Sequence, residues 1–216
     1  MKDLTKRDVL HWILGTLLCT LGVCLTTKAD FGLSMIAAVP YTLHVGFRDA
    51  IAWFSQGTAE YLFQAFLLIF TCFLVWRFRW KFLLSFATAF ICGLCIDGWL
   101  LILGGNAPYE SLGLRIAVFF IGVLLMAAAT ALYFRSKLPL QVYELTVAEI
   151  SDRFNWKLEV VKSLFDILML VLAVVLSVML TGSVFGAGVG WGTLVITFCN
   201  APLIKLFGSF YDKWKL

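Results

Sequence analysis

The sequence predicts an all-α integral membrane protein of six transmembrane helices, arranged as a 3+3 inverted repeat with two interfacial or re-entrant segments. Three observations lead there. Hydrophobic residues make up 62% of the 216-residue chain and charged residues 14%, with a mean hydropathy of +0.94; no soluble domain of this size needs so much apolar surface for its core. Six continuous apolar runs each reach the about 20 residues that a bilayer core requires, and they are far longer than the ~9–11 alternating residues of a barrel strand. Finally, Gly15–Lys28 returns in faded form as Gly122–Arg135 at an offset of 107, matching Gly15 with Gly122, Leu25 with Leu132 and Lys28 with Arg135. An offset near half the chain divides it into repeats 1–108 and 109–216, and at an offset of 108 Phe90 meets Phe198 and Ile96 meets Ile204 in the same register.

The expected spans are Val9–Thr27, Thr58–Trp76, Phe82–Leu103, Leu112–Phe134, Val160–Leu180 and Gly188–Ser209. The first follows Lys2, Lys6 and Arg7 but lacks a small-residue cleavage site, so it reads as a retained helix. Basic residues set the orientation. Lys2, Lys6, Arg7, Arg77, Arg79, Lys81, Arg135, Lys137, Arg153, Lys157, Lys213 and Lys215 fall on one side of the six spans, against Lys28, Arg48 and Arg115 on the other. Both termini are therefore expected in the cytoplasm. Three spans per half is an odd number, so the second copy enters the membrane from the opposite side. Inverted repeats about an axis in the membrane plane mark secondary transporters; duplication in a protein that transports nothing is the alternative.

Between the first and second spans, 29–57 is too polar to cross yet has an apolar centre, and it is expected to lie at the surface or dip in as a re-entrant segment. Its counterpart 136–156 interleaves Leu140, Val142, Leu145, Val147 and Ile150 with Glu144, Glu149 and Asp152, the pattern of an amphipathic helix. Trp12, Trp53, Trp76, Trp80, Trp99, Trp156, Trp191 and Trp214 stand mostly at span ends, as interfacial anchors do. All six cysteines fall within spans, which argues against a secreted disulfide framework; the Cys92/Cys95 pair reads as small buried hydrophobes. His11 and His44 have no partners at metal-site spacing. The run Gly186–Gly192 has a glycine at every second position. It either permits close helix packing or presents the amides of a helix start to an anion.

An ionisable residue inside the bilayer costs at least ~2.5–3.5 kcal/mol and so needs a reason. Asp97, Lys162, Asp166 and Lys205 qualify. Lys162 and Asp166 are four apart and can pair along one helix. Asp97 lies roughly 20 Å from the cytoplasmic start of its span and Lys205 about 25 Å from the outer start of its own, by helical rise, so the two sit in opposite leaflets. Lys205 can also snorkel to the interface. Asn200-Ala201-Pro202 combines a hydrogen-bonding side chain with a residue that frees the Phe198 carbonyl. Cys92-Gly93-Leu94 is the weaker break at the matching place, and paired interruptions point to a midplane site. The expected site joins Asn200, Asp166 and Asp97, with Asp166 either coupling protons or fixed by Lys162. Lys28 and Arg135 close equivalent helices, where each attracts an anion at one gate or snorkels.

With the duplicated plan, the glycine-rich approach and the Asn200–Ile204 run in view, the chain resembles the small bacterial YczE/YitT-type membrane proteins. The resemblance spans nearly the whole length, but Phe78-Arg79-Trp80-Lys81 stands where the second half has glycines. It implies a multi-pass protein of the bacterial cytoplasmic (inner) membrane. The function expected is a secondary carrier for a small polar or anionic solute. The alternatives are a substrate-binding membrane subunit of an ATP-driven importer, whose ATPase must be another chain since no Walker motif occurs, and a non-transporting scaffold. The expected partners are the lipid bilayer, the solute, and either a second copy or an energising subunit, with no nucleic acid. No nucleophile, base and orienter share a depth, so an enzyme is not expected, nor is a cofactor or metal.

Overall fold

A computed structural model describes residues 4–76 and 78–213; Lys2, Arg77, Trp214 and Lys215 lie outside the described residues. The described residues form α1 (Lys6–Ala29), α2 (Met35–Phe47), α3 (Gln56–Val75), α4 (Trp80–Ile102), α5 (Leu112–Tyr133), α6 (Val142–Phe154), α7 (Leu158–Thr181) and α8 (Trp191–Lys213), with no strand among them. All but α2 and α6 are long and apolar enough to cross a membrane, and these six coincide with the six expected spans. The two short helices occupy the two segments expected at the surface or as re-entrant pieces.

Local chemistry explains the ends. Thr5 and Asp8 form a reciprocal capping box at the start of α1, and Asp30 closes the helix in the left-handed region at φ 56°. Ser55 caps α3 through the Thr58 amide, and Gly182 ends α7 at φ 72°. Gly188 at φ 69° keeps the glycine run out of the helix, so α8 begins at Trp191, three residues later than expected.

Two expected interruptions are absent. Helix α8 continues through Pro202, and α4 continues through Cys92-Gly93-Leu94. One missing amide leaves the turns on either side of Pro202 intact. Gly93 serves packing instead, because a Cβ there would stand 2.6 Å from the Gly57 carbonyl oxygen on α3.

The chain gathers into two units, each drawing on both halves, with the boundary in α4 between Asp97 and Gly98. In the first unit α1 packs on α5 and α5 on α8. Helices α1 and α5 run antiparallel: Gly22 meets Gly122 and Met126, and Gly15 meets Ala129 and Tyr133. Glycine is needed at that crossing, since a Cβ on Gly22 would lie 2.8 Å from the Gly122 carbonyl oxygen and one on Gly122 would lie 2.8 Å from that of Gly22. Around it Ala29, Val118, Phe119, Val123, Met126 and Ile196 form a buried core. Both ends of the pair are tied by charge. Arg115 donates to the Ala29 carbonyl at 2.7 Å and pairs with Asp30 at 3.2 Å. At the other end Ser136 donates to the Asp8 carbonyl at 3.0 Å, and Lys137 stands 3.7 Å from the Asp8 carboxylate.

The end of the glycine run, Gly190 and Gly192, is explained within this unit. The Gly192 amide donates to the Phe31 carbonyl at 2.6 Å, and the Gly190 amide to the Thr193 hydroxyl at 3.2 Å. A Cβ on Gly190 would fall 2.3 Å from the Phe31 oxygen. Close backbone packing is therefore the role of these glycines, and the two amides that an anion would need are taken.

In the second unit α2 packs on α3 and α7, and α6 packs on α3 and α7. Thr42 of α2 donates to the Ala187 carbonyl at 2.9 Å, and Arg79 pairs with Glu149 of α6 at 3.3 Å. Large apolar side chains along α7 and α8, among them Leu168, Met179, Phe198 and Leu206, are exposed, as expected of surfaces that face lipid.

Candidate functional site

Buried polar side chains collect where α3 meets α6. Glu60 and Gln64 are one turn apart on α3 and share a face; they are 7% and 0% exposed. Gln64 Nε2 donates to Glu60 Oε1 at 3.0 Å and to Gln141 Oε1 at 3.1 Å. Its Oε1 accepts the Val142 amide at 3.0 Å. Val142 opens α6, so its N–H lacks a partner within the helix, and Gln141 makes no side-chain cap; Gln64 satisfies α6 from a different helix. Tyr143, 2% exposed, donates its hydroxyl to Glu60 Oε1 at 3.1 Å. Gln141 Nε2 reaches the Cys92 sulfur of α4 at 3.1 Å. Further along the same interface Thr71 and Thr146 share a hydroxyl bond of 2.8 Å.

Beside this network, Glu144 Oε2 is buried and makes no hydrogen bond among the described residues. Glu144 lies within electrostatic reach of Lys162 and Asp166 on α7 and of Glu60 on α3. Burial pushes the Glu144 carboxyl above its ordinary range, with the Lys162 ammonium opposing. Burial likewise raises the Tyr143 phenol, reinforced by the nearby Glu60 carboxyl. A buried carboxylate held only by amide and phenol donors, with further carboxyls beside it, is suited to binding a proton or a solute rich in hydrogen-bond donors. Among the described residues no group of His, Cys, Asp and Glu is disposed to hold a metal ion.

The sequence-predicted residues fall at several places. Asp97 takes the Gly57 amide at 2.8 Å and the Ser55 hydroxyl at 2.5 Å, so it completes the cap of α3. Asp166 bonds Lys162 at 2.7 Å along α7 and is drawn into the acidic surroundings of Glu144. Asn200 and Lys205 lie on α8 in the first unit, Asn200 partly buried and Lys205 exposed. Lys28, 4% exposed, donates to the Gly105 carbonyl at 3.1 Å with its ammonium 4.6 Å from the centre of the Tyr109 ring. Arg135 donates to the Gly208 carbonyl at 2.6 Å, pairs with Asp212, and stands 5.3 Å from the centre of the Tyr211 ring. Both cations are thus gripped by a glycine carbonyl and a tyrosine face.

Glu60, Gln64, Gln141 and Tyr143 escape a reading that ranks charges by depth, because Glu60 lies two residues inside its expected span. The signal available for them is an acid and an amide four apart within an apolar run.

Six apolar helices and a satisfied polar network between two of the helices define a multi-pass, membrane-embedded protein. The chain belongs to the DUF6198 family, described as a family of unknown function, which it matches over residues 6–209. It is similar to a Bacillus subtilis (strain 168) protein described as "Uncharacterized protein YyaS", at 29% identity over 207 residues covering 94% of each chain. No solved structure matches it. The family identified is DUF6198, whereas the sequence resemblance points to YczE/YitT-type proteins.

Proposed function

We propose that the chain is a secondary carrier for a small polar solute, built as an inverted repeat and working by alternating access in the bacterial cytoplasmic membrane. One observation carries the reading. An offset of 107 residues exchanges the two ion pairs of the first unit, taking Asp8 onto Arg115 and Asp30 onto Lys137, with the charges reversed. The same offset takes the Gly22 and Gly122 contact onto that of Ala129 and Gly15. It also lays α2 on α6 residue for residue. The packing of α2 on α7 then has its counterpart in that of α6 on α3. Contacts that map onto one another through an antiparallel pair support a two-fold in the membrane plane, and in such proteins exchanging the halves' conformations converts one open state into the other.

The Glu60 network lies between a helix of the first half and a helix of the second, the setting in which such carriers bind their solutes. Its acidity favours a polar donor-rich solute over an anion. A relation to YczE/YitT-type proteins and cytoplasmic termini belong to this proposal, the latter on the distribution of basic residues. The test begins with a thermal-shift screen of polar solutes on the purified chain, followed by flux of the best binder in liposomes. Unaided flux supports the carrier. Binding without flux assigns a subunit that needs an energising partner, and neither outcome leaves a scaffold.

A further inference from the structure

We propose that Glu60 and Glu144 form a proton-binding pair, and that this pair couples the carrier to a proton gradient. The coupling rests on the carrier reading, whereas the proton binding does not.

The argument starts from charge. Glu60 lies within electrostatic reach of Glu144, and Glu144 within reach of Asp166 and of the Lys162 ammonium. Lys162 is already engaged, at 2.7 Å, by Asp166. Glu60 receives only neutral donors, the Gln64 amide and the Tyr143 hydroxyl. Several other titratable groups on the surrounding helices are engaged elsewhere. Glu149 of α6 pairs with Arg79, Asp97 of α4 holds the start of α3, His44 of α2 bonds the Phe54 carbonyl, and Cys92 of α4 accepts from Gln141. Glu60 is buried with no cation beside it and Glu144 has only a Lys162 already bonded to Asp166, and carboxylates so placed tend to take up a proton rather than remain charged.

A second observation points to the same ligand. Glu144 Oε2 is buried with no donor among the described residues. A buried carboxylate oxygen that receives no donor carries poorly solvated charge, and that favours the protonated form. The Gln64 N–H and Tyr143 O–H donors stabilise the Glu60 carboxylate and oppose proton uptake, whereas burial away from any cation and the Glu144 carboxyl nearby favour it. Binding adds a proton to one carboxylate oxygen and so removes one negative charge; release restores it. Because the two acids interact, the proton belongs to the pair.

Difference infrared spectroscopy of the full chain in lipid nanodiscs tests this without a solute, by following the carbonyl stretch of protonated carboxyls as pH is raised. The wild type should show a band that bleaches with rising pH, and the Glu60→Gln/Glu144→Gln double variant should lack it. In Glu60→Gln the Glu144 band should bleach at least one pH unit lower, a tenfold change, because the second carboxyl is gone. Glu144→Gln disturbs no hydrogen bond to the side chain of another described residue, so it tests the pair even if Glu60→Gln fails to fold; it should weaken the band. A wild-type band that persists unchanged in both single variants, or one that sodium bleaches at constant pH, overturns the proposal. A wild type that shows the band but moves no solute keeps the site and defeats only the carrier reading. Solute flux without the band does the reverse.

Discussion

Replacing Gly57 by alanine should be among the most damaging single-methyl changes in the second unit. Helices α3 and α4 approach so closely that a Cβ on Gly57 would stand 2.0 Å from the Gly93 carbonyl oxygen and 2.6 Å from Asp97 Cγ. Ordinary contact begins at 3.4 Å, so the helices must part by the difference, about 1.4 Å, since the obstacle is backbone and cannot rotate away. Overpacking of this kind costs about 1–3 kcal/mol. The same movement stretches the Gly57 amide and Ser55 hydroxyl bonds to Asp97, and bonds to a charged group are worth about 1.5–3 kcal/mol each. Partial loss of both brings the expected cost to roughly 2–5 kcal/mol, or a fall of roughly 5–15 °C in Tm. Gly98→Ala is the matched control. It lies on α4, the facing helix, next to Asp97, with nothing within 4 Å of its would-be Cβ, and alanine there should be neutral or stabilising by up to about 1 kcal/mol. Thermal unfolding of the two variants in one detergent decides. A Gly57→Ala protein that melts with the wild type, or equal losses in both, would refute the close crossing and the capping role of Asp97.

Three further outcomes are expected. Lys28→Met and Arg135→Met each lose a carbonyl bond and a cation–ring contact, so each should destabilise by about 1–3 kcal/mol in thermal unfolding; a gate residue would instead leave Tm alone and weaken uptake from one side. Burial holds the His44 imidazole below its ordinary value, and its Nδ1–H donates to the Phe54 carbonyl at 2.8 Å. A depressed base contributes stability that is complete above its unfolded value, about 6.5, and is lost as pH falls. Tm should therefore drop on acidification below about pH 6.5 and drop less in His44→Gln, and equal slopes in the two proteins would remove the effect. Cysteines placed at Leu4 and at Lys81 in a cysteine-free background should react only from the cytoplasmic side; labelling of either from outside would overturn the orientation and the inverted repeat with it.

What the sequence determined by itself is everything that depends on neighbours within a few turns. Six runs of about 20 apolar residues become helices because lipid leaves a backbone no other partner for its amides. The Thr5–Asp8 box and the Lys162–Asp166 pair are likewise three- and four-residue relations visible along the chain. What only the tertiary structure decided involves residues far apart. Asp97 holds the start of α3 from about forty residues away, by way of the Gly57 amide. Gln64 satisfies the first amide of α6, and the Phe31 carbonyl occupies an amide of the glycine run. Pro202 is expected to break its helix from its local chemistry, yet the helix runs on because one lost bond does not undo the turns around it. Glu60 is the clearest case. In sequence it is an acid near a helix start, and only the arrival of Tyr143 and Glu144 from α6 turns it into part of a buried cluster. A carboxyl's environment is set by what packs against it, and hydrophobic periodicity does not encode the partner.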